Sequence, residues 1–192
     1  MTTRILKILA VDPGTNQSAL VSYEVDLCSV DRGKFIGALT MPNDKLLVEL
    51  RTLGEQVRQR GAREIKLVIE KPVSYGMPVG AEIFDTCIWI GRFIQVWPRV
   101  VDLIGRKSAV REICQDPRGR DTNVRAGLIE FFGGKDVACG TKDVCGPLHD
   151  VHGDEWAALA VAVGWSEIKR REFRTLQRNS SSGTIDLKGV KP

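Results

Sequence analysis

The chain has 192 residues, an apolar fraction of 43%, a charged fraction of 27% and a net charge of +4. These values are typical of one globular domain with an ordinary core, and the small positive charge is only weak support for a polyanionic partner. The sequence has no apolar run near the ~20 residues of a membrane span and no targeting segment, so we expect a soluble cytoplasmic protein. Its five cysteines are scattered without CxxC spacing, which gives no support to a zinc site.

An almost unbroken apolar run at 5–11 predicts a central strand covered on both faces, and this strand ends in Asp12. Two further predicted strands, at 17–27 and 34–41, complete an antiparallel meander. The remaining predicted elements are a helix at 44–60, a strand at 63–71, a helix at 81–97, a short strand at 99–104, two short helices at 105–115 and 121–134, and a last helix at 150–171.

This order of elements predicts a single α/β domain with a mixed sheet, because the helix at 44–60 would lay the next strand parallel to an earlier one. Residues 135–150 have no periodicity and are predicted to form a loop. From about residue 172 onward the chain is polar. We therefore predict a folded domain at 1–172 and a disordered tail at 173–192.

Three acids have positions that suit chemistry better than packing. Asp12 and Glu70 end the two most buried predicted strands, and Asp154 lies at the start of the last helix. If the two strands are parallel neighbours, both acids emerge at the carboxyl edge of the sheet, where open α/β sheets place their sites. Carboxylates held together repel one another unless a hard cation lies between them, so this set predicts Mg²⁺ or Mn²⁺, with two ions in each site. The alternative is that each acid is a solvated turn residue or a helix cap.

Three segments of the chain read LAVDPGTNQSALVSYEV, LVIEKP and DEWAALAVAVGW, and a longer stretch reads IEKPVSYGMPVGAEIFDTCIWIGRF. The three segments resemble RuvC-like Holliday junction resolvases of the RNase H-like superfamily, and the longer stretch resembles phage-encoded members in particular. The resemblance covers residues 5 to about 168. It implies an RNase H-like mixed five-stranded sheet flanked by helices. It also implies a Mg²⁺-dependent endonuclease that hydrolyses a phosphodiester of branched DNA, located in the host cytoplasm if the protein is phage-encoded.

Matched residue by residue, Asp12 and Glu70 correspond to the first and second metal ligands of that family. The last helix departs from the pattern, because bacterial resolvases carry two ligands three residues apart and the second position here is Ala157. Asp154 is then the third ligand, and the fourth is open. Asp150 is the first candidate for it, although an acid there could equally cap the helix.

Two other residues near the last helix, Glu155 and His152, are further candidates for the fourth ligand; the alternative for His152 is a solvated loop position. Lys107 could neutralise charge that develops on the phosphate. It lies in a basic segment that suits phosphate contacts and also contains Arg106, Arg111, Arg118 and Arg120. The alternative is an ordinary solvated helix face.

Tyr75 follows Glu70 in a loop, where the resemblance implies an aromatic ring that stacks on bases at the junction. The helix at 81–97 is apolar around most of its circumference, which predicts a homodimer interface in addition to core packing. A four-way junction has approximate two-fold symmetry, and two symmetric cuts call for a two-fold symmetric dimer.

Three other functions remain open from the sequence. The chain could be another RNase H-like nuclease that acts on hybrids or branched phage DNA. It could also be a junction-binding module with a degraded site, as Ala157 suggests. An actin-like ATPase is a further alternative because DPGT resembles its phosphate loop, but that fold needs two such domains and 192 residues are too few.

Overall fold

The computed structural model describes residues 5–29, 31–60, 64–74, 76 and 78–181. The strands are β1 (Ile5–Pro13), β2 (Gln17–Asp26), β3 (Lys34–Pro42), β4 (Ile65–Lys71) and β5 (Asp102–Gly105). The helices of these described ranges are α1 (Asn43–Arg60), α2 (Ala81–Val96), α3 (Arg106–Cys114), α4 (Asp121–Phe131), α5 (Lys135–Ala138) and α6 (Glu155–Ser181). None of the described helices is long and apolar enough to cross a membrane.

The five strands form one mixed sheet in the order β3-β2-β1-β4-β5. β1 pairs antiparallel with β2, and β2 pairs antiparallel with β3, which confirms the predicted meander. β4 lies parallel to β1 on its other side, and β5 lies parallel to β4. The predicted mixed five-stranded sheet flanked by helices is therefore confirmed.

The central strands are apolar on both faces because helices cover both sides of the sheet. Ile8 and Ala10 of β1 face a core formed with α3, α4 and α6. Leu9 and Val11, which alternate with them, face a second core formed with α1 and α2. The even-numbered positions of β1 thus point toward the α6 side, and this alternation places the next even position, Asp12, on that side as well.

The last helix differs from the prediction at both ends, since it begins at Glu155 rather than at residue 150 and continues to Ser181. Gly153 immediately before it has a φ of +49°, in the left-handed region. At the other end, Lys169 pairs with Glu172 one turn later at 2.8 Å, and such i,i+3 pairs stabilise a helix. Residues 173–181, which the sequence analysis assigned to a disordered tail, are part of this helix.

The rest of the predicted tail, residues 182–192, lies outside the described residues. The segment predicted as a loop at 135–150 contains one turn of helix, α5, and an isolated antiparallel bridge between Gly140 and Cys145. Short elements of this length carry too little periodicity to be recognised in a sequence.

α6 packs unusually close to α3 where Gly164 meets Ala109. A Cβ atom added at Gly164 would lie 2.6 Å from the Cα atom of Ala109, which is closer than any side chain tolerates. The absence of a side chain at Gly164 therefore sets the distance between the two helices.

Candidate functional site

Asp12 and Glu70 are neighbours across the two central parallel strands. The last pair of the β1–β4 register joins Val11 to Ile69, so the next residue of each strand is one of these acids. Both acids occupy even-numbered positions, on the α6 side of the sheet, and both are half-buried. The sequence prediction that the two strands are parallel and bring their acids to one edge is confirmed for the backbone.

The turn after Asp12 is held in place by buried polar side chains. Ser18 donates a hydrogen bond of 2.6 Å to the Oδ1 atom of Asn43, and the Nδ2 atom of Asn43 donates one of 2.9 Å to the carbonyl of Gly14. A Cβ atom at Gly14 would lie 2.4 Å from the carbonyl oxygen of Gln17, so only glycine fits this turn. The first residue of α1 is thus joined to the loop that carries Asp12.

Asp154 approaches the same edge from the start of α6. Its carbonyl accepts the backbone N–H groups of Ala157 at 3.0 Å and of Ala158 at 3.1 Å, so the residue adjoins the first turn of the helix. The side chain is exposed. A carboxylate there is favoured by the positive end of the helix dipole.

A cavity of about 280 Å³ lies between these elements. Its charged lining residues are Asp12, Asp154, Asp121 and Arg106, and the remaining walls are Val124, Gly153, Trp156 and Ala157. The cavity is polar, open to solvent and lined by three carboxylates and one guanidinium.

The charges of Glu70 and Asp154 act on the carboxyl group of Asp12. Burial, together with the neighbouring charges of Glu70 and Asp154, raises the pKa of Asp12 to about 7, while Arg106 opposes the increase. Burial also raises the pKa of Glu70, against the effect of Arg106. Asp121 contributes to the increase at both residues. Carboxyl groups whose pKa values are raised in this way are typical of functional sites.

Arg106 and Asp121 form an ion pair inside this group of carboxylates. Arg106 follows β5 and opens α3, and Asp121 opens α4, so both lie at the same end of the molecule as Asp12. The sequence analysis did not identify Asp121. The sequence does contain a feature that points to Asp121, because it is an acid at the start of a predicted helix, as Asp154 is.

Two solved structures of one bacterial protein have a fold similar to that of this chain. RuvC from Thermus thermophilus matches with a TM-score of 0.58 at 13% identity, over 88% of this chain and 98% of that chain. T. thermophilus RuvC in complex with a Holliday junction substrate matches with a TM-score of 0.58 at 12% identity, over 87% and 96%. The chain has a RuvC-like fold. No family model matches it, and no curated protein matches its sequence.

Of the predicted ligands, Asp12 and Asp154 line the cavity, whereas Glu70 and the three candidates for the fourth ligand do not. Asp150 is among the residues before α6, does not line the cavity, and contacts the Nδ1 atom of His149 at 2.7 Å. Glu155 accepts the backbone N–H of His152 at 2.9 Å, an arrangement that caps the start of α6. Asp121 does line the cavity. It is therefore in a better position to be a fourth metal ligand than Asp150, Glu155 or His152.

The predicted DNA-binding residues that the structure describes do not line the cavity. Lys107 and Arg111 are exposed on α3, one turn apart. Arg118 pairs with Asp116 at 3.5 Å in the loop before α4, and Arg120 is the last residue before that helix. Tyr75 lies outside the described residues, so its predicted role in stacking stays a prediction.

The carboxylate oxygens at this sheet edge are ligands that suit a hard divalent cation, although the carboxylates are not clustered closely. No three His, Cys, Asp or Glu side chains of the described residues are grouped closely enough to form a complete cage for a metal. Mg²⁺ does not need such a cage, because it retains several waters and is held by one or two carboxylates and by substrate phosphates. Asp12, Glu70 and Asp154, with Asp121, are the residues that could hold it.

Proposed function

We propose that this protein is a metal-dependent endonuclease that cuts branched DNA and resolves four-way junctions. The observation that carries the proposal is the meeting of Asp12, Glu70 and Asp154 at one sheet edge, where their mutual repulsion contributes to the raised pKa of Asp12. The RuvC-like fold and the junction bound by the Thermus protein support DNA as the substrate.

In the proposed reaction, a water oxygen forms a bond to phosphorus and the bond to the 3′ oxygen breaks, which leaves a 5′ phosphate and a 3′ hydroxyl. Bound Mg²⁺ would supply Lewis-acid polarisation of the phosphate and lower the pKa of water. Asp12, Glu70 and Asp154 provide oxygen ligands for that ion. Arg106, which lines the cavity, and Lys107 beside it provide positive charge for the pentavalent phosphate.

The assembly that we propose is a homodimer formed through α2. Phe84 and Ile88 lie one turn apart on the outer side of this helix and are 61% and 60% exposed. Cys87 and Gly91, also exposed, extend the same side of the helix. Adjacent large apolar side chains with this exposure are typical of an interface, and the two-fold symmetry of a four-way junction favours a second copy of this chain as the partner.

Cleavage of synthetic substrates in Mg²⁺ tests the function. We expect the wild type to cut a four-way junction faster than linear duplex or an RNA–DNA hybrid, and we expect Asp12→Asn to abolish cutting while junction binding persists. Faster cutting of the hybrid would instead favour a different RNase H-like nuclease. Junction binding by the wild type without any cutting in Mg²⁺ or Mn²⁺ would favour a binding module.

A further inference from the structure

The last turns of α6 carry a basic surface at the end of the molecule opposite the carboxylates. Arg171, Arg174 and Arg178 are spaced by three and four residues, so they project from one side of the helix. All three side chains are exposed. We call these three residues the distal arginines.

Ion pairs leave a net positive charge on this segment. Between Glu167 and Ser181 the sequence contains five basic and two acidic residues. Arg170 pairs with Glu167, Lys169 pairs with Glu172, and Arg171 pairs with Glu112 of α3. In the part of the chain that the structure describes, no acid pairs with the two remaining arginines, at 174 and 178.

The start of this segment is fixed to the sheet by a buried side chain. Arg170 is 3% exposed, and its guanidinium donates to the carbonyl of Asp26 at 3.4 Å and to that of Asp31. These carbonyls belong to the turn between β2 and β3, at the opposite end of β1 from Asp12. The arginines that follow are therefore held in a defined position.

Basic side chains also lie between the cavity and the C-terminal end of α6. α3 runs parallel to α6, since Ala109 meets Gly164 and Glu112 meets Arg171 in the same order along both helices. Lys107 and Arg111 are exposed on α3 between the two ends. Basic side chains thus lie near the cavity, along the middle and at the far end of the α3–α6 side.

The distance between the two ends of α6 can be expressed as a length of duplex DNA. Arg174 lies twenty residues after Asp154, which adjoins the start of α6, and this is about 30 Å at 1.5 Å per residue. About 30 Å corresponds to roughly nine base pairs at 3.4 Å each. We propose that the distal arginines bind the phosphate backbone of a duplex arm about nine base pairs from the phosphate held at the carboxylates. The inference rests on the proposed function, because it takes branched DNA as the substrate.

The test compares four-way junctions whose arms are 7 or 16 base pairs long, the shorter ones closed by hairpin loops. Binding of the full chain is measured by fluorescence anisotropy in EDTA at several salt concentrations. The double variant R174Q/R178Q is compared with R51Q/R58Q, which removes the same charge from exposed positions of α1 on the other face of the sheet.

We expect the wild type to bind the long-armed junction more tightly than the short-armed one. The R174Q/R178Q variant should lose about tenfold or more in affinity for the long arms at 0.1 M salt, and its salt slope should fall by about 0.9 for each lost phosphate contact. Its affinity for the short arms and its cleavage of them in Mg²⁺ should equal those of the wild type. R51Q/R58Q should match the wild type throughout.

The inference is overturned if R174Q/R178Q loses no more affinity than R51Q/R58Q, or if it loses affinity equally on both arm lengths. These outcomes are separate from failure of the proposed function. If the distal arginines bind long arms but the wild type cuts nothing in Mg²⁺, the nuclease proposal fails and this inference stands.

Discussion

Ser18 and Asn43, which are 25 residues apart in the sequence, are joined by a buried hydrogen bond of 2.6 Å. Through Asn43 this bond connects the start of α1 to the carbonyl of Gly14, two residues after Asp12. The position of the catalytic carboxylate that we propose therefore depends on a side chain that cannot contact the substrate phosphate itself.

We expect Asn43→Ala to lower the free energy of unfolding by about 2–3 kcal/mol, because the Ser18 hydroxyl loses its acceptor and the Gly14 carbonyl loses the Asn43 donor. Urea denaturation measures this loss. Asn16→Ala, an exposed change in the same loop, is the control and should cost under about 0.5 kcal/mol. Equal denaturation midpoints for the two variants would show that the buried bonds do not stabilise the turn.

Asp12→Asn should stabilise the metal-free protein at high pH and not at low pH. The folded pKa of Asp12 is about 7 against 3.8 for the ordinary group, so the folded state binds more protons between these values and wild-type stability falls as the pH rises from 4 to 7. Asparagine cannot ionise and escapes this loss. We expect Asp12→Asn to raise the free energy of unfolding by on the order of 2 kcal/mol at pH 8 and not at pH 4. The upper limit is about 1.4 kcal/mol for each unit of pKa shift, and relaxation of the folded protein around the charge keeps the gain below it.

Urea denaturation in EDTA at pH 4, 6 and 8 checks this expectation, with Asp150→Asn as an exposed control outside the cavity. A difference between wild type and Asp12→Asn that does not change with pH would contradict it. Added Mg²⁺ should stabilise the wild type at pH 8 and leave Asp12→Asn nearly unchanged, because the ligand has been lost.

Arg106 should control the pH at which the site accepts a cation. Its charge lowers the pKa of Asp12 and of Glu70, so Arg106→Gln raises both and protons compete with Mg²⁺ up to a higher pH. Isothermal titration calorimetry from pH 6 to 9 should show the half-maximal Mg²⁺ affinity displaced upward by about half a pH unit or more. Arg118→Gln, whose partner Asp116 lies outside the cavity, should leave the profile unchanged.

The proposed dimer predicts a change in mass when the outer side of α2 is made charged. Phe84→Glu and Ile88→Glu should each convert a dimer to a monomer in sedimentation equilibrium, because burying an unpaired carboxylate costs several kcal/mol. Val144→Glu, at a position 69% exposed in the loop after α5, is the control and should leave the mass unchanged. A wild type that sediments as a monomer at every concentration would exclude the proposed interface.

The sequence predicts the strand ends well because burial and chain direction are local properties. The continuous apolar runs before Asp12 and Glu70 identified central strands, and one intervening helix was enough to make them parallel. The pair of Arg106 and Asp121 could not be found in the same way, since it forms only when α3 and α4 fold back to the same edge. Asp150 was misleading because its distance from Asp154 in the sequence suggests one helical turn, whereas α6 begins only at Glu155.

The continuity of α6 has a mechanical consequence. A helix of 27 residues is about 40 Å long and bends little, so it moves as a rod. Its contact with α3 at Gly164 lies between Asp154 at one end and the distal arginines at the other. A tilt about that contact displaces the two ends in opposite directions. Because Gly164 is ten residues from Asp154 and ten from Arg174, the two displacements would be about equal at ends roughly 30 Å apart.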